Sequence, residues 1–229
     1  DSATEELNKV HEELLQKSGP RTMVWFAGVP ISRARDHIPV RKSIIQSILE
    51  ESSYFETRPE RRMGGYATPY DYSKYLAPSL RGLKCKNSGA ILEIRRDGVF
   101  VFAYTLLPTD KPYSQGVPPR VNIGHIYESI LSGLHAFYDI QEYFGIGKTA
   151  LVQSGIIKRV PRMHIGTAAG IKAGYPLFSF VGEEWDIPFD PMLLDEHWNP
   201  GKVFYEWAKQ LGNAVGKEDP IPYRGFPLH

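Results

Sequence analysis

Apolar residues recur at helical spacing in four stretches of the chain and crowd into short bulky runs between them. Leu7, Val10 and Leu14 form one stripe behind Ser2 and Glu5, which have capping-box spacing, so a short helix is predicted to end before Gly19 and Pro20. Its stripe needs a partner, in this fold's own core or in a preceding domain. Residues 22–29 read as a strand stopped by Pro30. Pro39 suits a helix first turn, and Ile44, Ile45, Ile48 and Leu49 supply the buried face of a helix reaching about Ser52. Asn122 caps a long helix with Ile123, Ile126, Ile130, Leu134 and Phe137 on its apolar side, stopped by Gly145. Residues 149–160 and 177–181 read as strands. Asn199 and Pro200 open a last helix carrying Phe204, Trp207, Leu211 and Val215, and a coil follows from Asp219.

Between these elements lies a hairpin over 90–107, turning on Asp97-Gly98, a dipeptide that favours two-residue turns with positive φ at both positions. That register sets Ile94 opposite Val101 and Leu92 opposite Ala103, giving a core face of Leu92, Ile94, Val101 and Ala103. Glu93 and Arg95 then share the other face with Phe100 and Phe102, a half-covered face on which a guanidinium could lie against a ring.

Strands mixed with a few helices predict an α+β fold, a mixed or antiparallel sheet with a central hairpin and helices packed on one face. The 229 residues suit a leading helix over 1–18, read as a linker from a preceding domain, and one α+β domain over 19–229. Hydrophobic content of 42% is that of an ordinary globular chain. No apolar run reaches the roughly 18 residues that cross a bilayer, so no membrane partner is expected. The single Cys85 has no disulfide or zinc companions, which fits a cytoplasmic setting, and no cofactor is expected.

Charge changes the picture more than composition does. Between residues 58 and 86 seven basic residues stand against Glu60 and Asp71, a local excess of five in a chain of net charge +1. Tyr66, Tyr70, Tyr72 and Tyr75 are interleaved with them. A second basic group includes Arg33, Arg35 and Arg41. Arginines with aromatic planes suit phosphates and bases, so Arg33, Arg35, Arg41, Arg58, Arg61, Arg62, Tyr66, Tyr70 and Tyr72 are the candidate polyanion or nucleic-acid ligands. The acidic run Glu183 to Glu196 offers the other outcome, two opposite blocks facing each other inside one fold.

Motifs for catalysis are sparse. Gly145-Ile146-Gly147-Lys148-Thr149 ends like a phosphate loop, but Glu142 stands where its first glycine belongs, and the expected order is helix then strand. A helix C-terminus presents carbonyls, which repel phosphate. Asp195-Glu196-His197 has no second supplier of metal ligands. Glu93-Ile94-Arg95 lacks the other members of a nuclease core, and no serine lies in a nucleophile elbow. No catalytic or metal-binding residue is assigned.

The succession from the Arg96-Asp97-Gly98 turn, through helix 123–144 ending at Gly145-Ile146 and the strand at Ala150-Leu151-Val152, to Glu184-Trp185-Asp186 and Trp198-Asn199, resembles the region following the Schlafen/AlbA-type putative ATP-binding domain of bacterial regulator-like proteins. The resemblance spans about residues 22 to 215. It implies a non-catalytic regulatory or interaction module of a larger ATP-binding, transcriptional-regulator-like protein, with an N-terminal domain of the same parent chain as partner. That family's nucleotide-binding and nuclease-type residues find no positions here. The alternative is a direct nucleic-acid-binding domain. A second alternative is an enzyme whose site gathers distant residues such as 183–196, and self-association is compatible with each.

Overall fold

The computed structural model describes residues 2–32, 38–63, 68–85, 87, 89–107, 120–159, 163–167, 178–180 and 184–223. Its chain folds as α+β around an antiparallel sheet of eight strands. The helices are α1 (Ala3–Ser18), α2 (Lys42–Glu50), α3 (Tyr54–Thr57), α4 (Pro69–Ser73), α5 (Ile123–Phe144) and α6 (Pro200–Ala214). A 3-10 turn spans Pro59–Met63. The main sheet contains β1 (Met23–Pro30), β2 (Leu76–Pro78), β3 (Gly82–Cys85), β4 (Ala90–Arg95), β5 (Phe100–Thr105) and β7 (Ala150–Ile157). Its order is β7-β1-β5-β4-β3-β2, with β10 (Asp186–Pro188) and β11 (Met192–Leu194) both on the outer edge of β7. A small second sheet joins β6 (Arg120–Asn122), β8 (His164–Gly166) and β9 (Phe178–Ser179).

The four expected central strands are therefore neighbours, and α5 crosses one face of them with α2, α4 and α6 beside it. Asn122 Oδ1 accepts from the Gly124 amide at 2.9 Å to start α5, and Gly145, at φ 61°, ends it. Leu134 and Phe137 are fully buried against the sheet. Gly28 allows this approach: a Cβ there would lie 2.7 Å from the Phe137 ring.

Two expectations are corrected. Helix α2 begins at Lys42, after Pro39, with Arg41 as an N-cap that makes no side-chain cap bond. The hairpin is shifted by one residue. Gly98 has φ 88°, but no non-glycine among the described residues has positive φ, so Asp97 cannot serve a two-residue turn that needs two such positions. Arg95 N donates to Val99 O at 2.8 Å across a three-residue loop, and Gly98 supplies its left-handed position. Ile94 then opposes Phe100, and Leu92 opposes Phe102. A shift of one exchanges the two faces of β5 relative to β4. Leu92, Ile94, Phe100 and Phe102 meet α5, while Ile91, Val99, Val101 and Ala103 face the opposite side.

That opposite side is covered as well. Leu7, Val10 and Leu14 of α1 pack on Met23, Trp25, Val101 and Ile157, so the leading helix finds its partner in this sheet. Arg95, on the same side as α1, donates to Glu6 Oε1 at 2.5 Å and to Glu93 Oε1 at 2.6 Å, and lies on no aromatic ring among the described residues. Helices thus cover both faces, not one. Among the described residues, no helix is long and apolar enough to cross a membrane.

Candidate functional site

The basic-aromatic segment divides. Its arginines turn inward where α3 and the 3-10 turn meet α5. Glu128 of α5 has no exposed side-chain surface, and its Oε1 lies 2.7 Å from Arg58 Nη2 and 2.9 Å from Arg61 Nη2. Tyr54 donates its hydroxyl to the other carboxylate oxygen, and Arg61 Nη2 donates to Tyr223 Oη at 3.2 Å. Burial and the Glu128 charge push the Tyr54 hydroxyl pKa far up, so it remains a donor. A carboxylate this deep requires such partners, because an unpaired buried charge costs several kcal/mol. Arg58 and Arg61 therefore do not form an open polyanion surface.

The acidic partners described for them, Glu128 and Glu60, lie outside the acidic run. Glu60 approaches both, Arg81 pairs with Glu13 at 2.9 Å, and Asp186 pairs with His11 at 3.0 Å. Arg41 is exposed. Arg33, Arg35, Tyr66 and the side chain of Arg62 lie outside the described residues.

The tyrosines lie elsewhere. Thr68 and Asp71 form a capping box, and Pro69 occupies the first turn, so α4 begins at a fixed point. Tyr70 then meets Phe55 edge-on at 5.6 Å, and Tyr72 packs 6.3 Å from Phe102 and 6.1 Å from Tyr104. Tyr75 follows 6.5 Å from Tyr72. Together with Gln46 and Glu50 of α2, Lys74, and Asn87 between β3 and β4, these rings line an open groove of 740 Å³. The hydroxyls of Tyr70, Tyr72, Tyr75 and Tyr104, the Gln46 amide and the Asn87 Nδ2 have no hydrogen-bond partner among the described residues. Burial raises the pKa of the Tyr72 and Tyr104 hydroxyls, with Asp71 adding to it, so both stay protonated. The groove combines aromatic surface with unspent donors and acceptors, the usual make-up of a ligand site. Of the sequence candidates it holds Tyr70 and Tyr72. Gln46, Asn87 and Tyr104 carried no sequence signal, because they come from three separate elements.

A second cleft, 510 Å³, lies between α1 and the turns after β2 and β4. Its Glu6, Glu13, Arg81 and Arg95 are spent on one another. Burial alone would raise the Glu13 pKa, yet the Lys17 and Arg81 hydrogen bonds bring it down to about 2.

One further cluster has the residues of a hydrolase without its wiring. Ser53 Oγ lies 2.8 Å from His135 Nδ1 and donates to Asp139 Oδ1 at 2.7 Å. Asp139 also accepts from Ser52 Oγ at 2.6 Å and from the Ser53 amide at 3.1 Å. A catalytic aspartate bonds the histidine's far nitrogen, whereas here both groups converge on the hydroxyl. With the Ser53 proton given to Asp139, His135 Nδ1 donates to Ser53 Oγ. The cluster ties the start of α3 to α5. Burial lowers the His135 pKa to about 4.

The remaining motifs are structural. Lys148, in the phosphate-loop lookalike, donates to Tyr138 Oη at 2.9 Å and pairs with Glu142. Asp195 Oδ1 accepts from the His197 amide at 2.8 Å in the turn before α6. Cys85 is buried, which pushes its thiol pKa up. No group of three or more His, Cys, Asp or Glu among the described residues could hold a metal ion.

Comparison with protein-family models, curated proteins and solved structures finds no match for this chain.

Proposed function

We propose that this chain is a non-catalytic interaction module, serving a nucleotide- or nucleic-acid-handling protein as the sequence resemblance implies, with the tyrosine groove as its recognition surface. One observation carries the reading. Four tyrosine hydroxyls and two side-chain amides converge on one open groove without hydrogen-bond partners among the described residues. The acids and bases that might have served catalysis are bonded to each other: Glu128 to Arg58 and Arg61, Arg95 to Glu6 and Glu93, and Asp139 to Ser53. A direct nucleic-acid reading loses Arg58 and Arg61 to Glu128.

The test is an amide-resolved NMR spectrum of the chain, titrated with a panel of small ring-bearing and ionic compounds. Shifts should gather at Gln46, Tyr70, Tyr72, Tyr75 and Tyr104. Shifts gathered at the α1 cleft or around Ser53 and His135 would move the recognition surface and overturn the reading.

A further inference from the structure

We propose that the tyrosine groove takes an organic cation, specifically an alkylated ammonium group. This deepens the reading of the groove as a recognition surface and rests on it.

The ring geometry comes first. Tyr72 is tilted 58° to Tyr104 and 42° to Tyr75, at centroid separations of 6.1 and 6.5 Å. A flat base held between two rings needs planes close to parallel. Tilted rings instead make a faceted wall, which fits a rounded group presenting C–H bonds to several faces. The negative face of each ring attracts cationic charge.

Charge points the same way. Among the described lining residues Glu50 and Asp71 stand against Lys74 alone, which repels a phosphate and favours a cation. Lys74 Nζ already lies 5.1 Å from the Tyr75 ring centre, so a cation contact is made on this wall within the chain itself.

The kind of cation follows from what the carboxylates can offer. Asp71 Oδ2 accepts from the Thr68 amide at 3.2 Å and from Thr68 Oγ1 at 2.7 Å, which spends it on the cap of α4. Glu50 is exposed on the last turn of α2. Glu50 alone keeps an unspent carboxylate, and no bond among the described residues fixes it for the fork of a guanidinium. A primary ammonium is strongly hydrated and would lose that water for aromatic faces alone. An alkylated ammonium is weakly hydrated and needs no hydrogen-bond acceptor, so rings plus a nearby negative charge suffice.

The experiment titrates the chain with choline chloride and follows amide shifts and the choline methyl signal. Binding should perturb Gln46, Tyr72, Tyr75 and Tyr104, and ring currents should move the methyl signal upfield. Tyr75→Ala, at a half-exposed ring, should weaken binding by about 2- to 5-fold. Lys74→Ala should tighten it, since a competing cation leaves the wall; a phosphate-bearing ligand would respond in the opposite sense. The neutral isostere 3,3-dimethylbutan-1-ol should bind at least several-fold more weakly than choline.

Equal binding of choline and the isostere would overturn the cation inference and leave the groove reading in place. So would an oligothymidylate, or an arginine peptide, that perturbs these residues where choline does not. If no compound perturbs them, the groove reading falls as well.

Discussion

Glu128 Oε1 lies 2.7 Å from Arg58 Nη2, and the carboxylate that joins them has no exposed surface. Seventy positions separate the two residues, and the pair, with Arg61, turns the arginines at the head of the most basic stretch of the chain into part of its interior. Removing the negative partner should be severe. Glu128→Gln leaves two guanidinium groups buried beside a neutral amide and should cost about 3–5 kcal/mol in a denaturant titration. A loss under about 1 kcal/mol would mean that the arginines escape to water.

The helix that carries Glu128 depends on apolar burial. Leu134 is fully buried between α5 and the sheet, so Leu134→Ala should cost about 2–5 kcal/mol. An unchanged unfolding midpoint would contradict the packing of α5 on this face.

Close approach of α5 to β1 needs a missing side chain. A Cβ at Gly28 would stand 2.7 Å from Phe137, whose ring is held by Phe26, Phe100 and Trp198. Gly28→Ala should therefore lower stability by about 1–3 kcal/mol. A neutral or stabilising effect in thermal melting would show that the ring can retreat.

Acid should unfold the chain partly through His135. Its folded pKa of about 4 lies below the ordinary 6.5, so between these values the unfolded chain binds the extra proton. The contribution is complete above pH 6.5 and is lost as pH falls toward 4, on the order of 3 kcal/mol. Asp139, whose pKa burial raises despite its bonds from Ser52 and Ser53, has the opposite sign and favours the fold at the acid end. His135→Gln should flatten the stability curve between pH 6.5 and 4. A wild-type curve already flat there would refute the shift.

Much of the fold was legible because it rests on local signals. The apolar spacing from Ile123 to Phe137, with Asn122 and Gly145 at its ends, specifies α5. Bulky runs locate β1, β5 and β7. The hairpin was legible as a hairpin, but its register was not, since Asp97-Gly98 serves both two- and three-residue turns, and the choice exchanged Phe100 and Phe102 for Val101 and Ala103 on the face of Glu93 and Arg95. The groove was half legible. Tyr70 and Tyr72 stand out in the segment, whereas Gln46, Asn87 and Tyr104 reach it only through the packing of α2 and α4 on β4 and β5. The arginines misled because a charge run looks the same in sequence whether water or a distant glutamate neutralises it.

The most direct test of that inward turn is a double-mutant cycle between Arg58 and Glu128, read by denaturant unfolding of the wild type, Arg58→Gln, Glu128→Gln and the pair. A buried ion pair predicts a coupling energy above about 1.5 kcal/mol, with the double variant far more stable than the sum of the single losses allows. A coupling below about 0.5 kcal/mol would place Arg58 in water, restore the open basic surface and contradict the account.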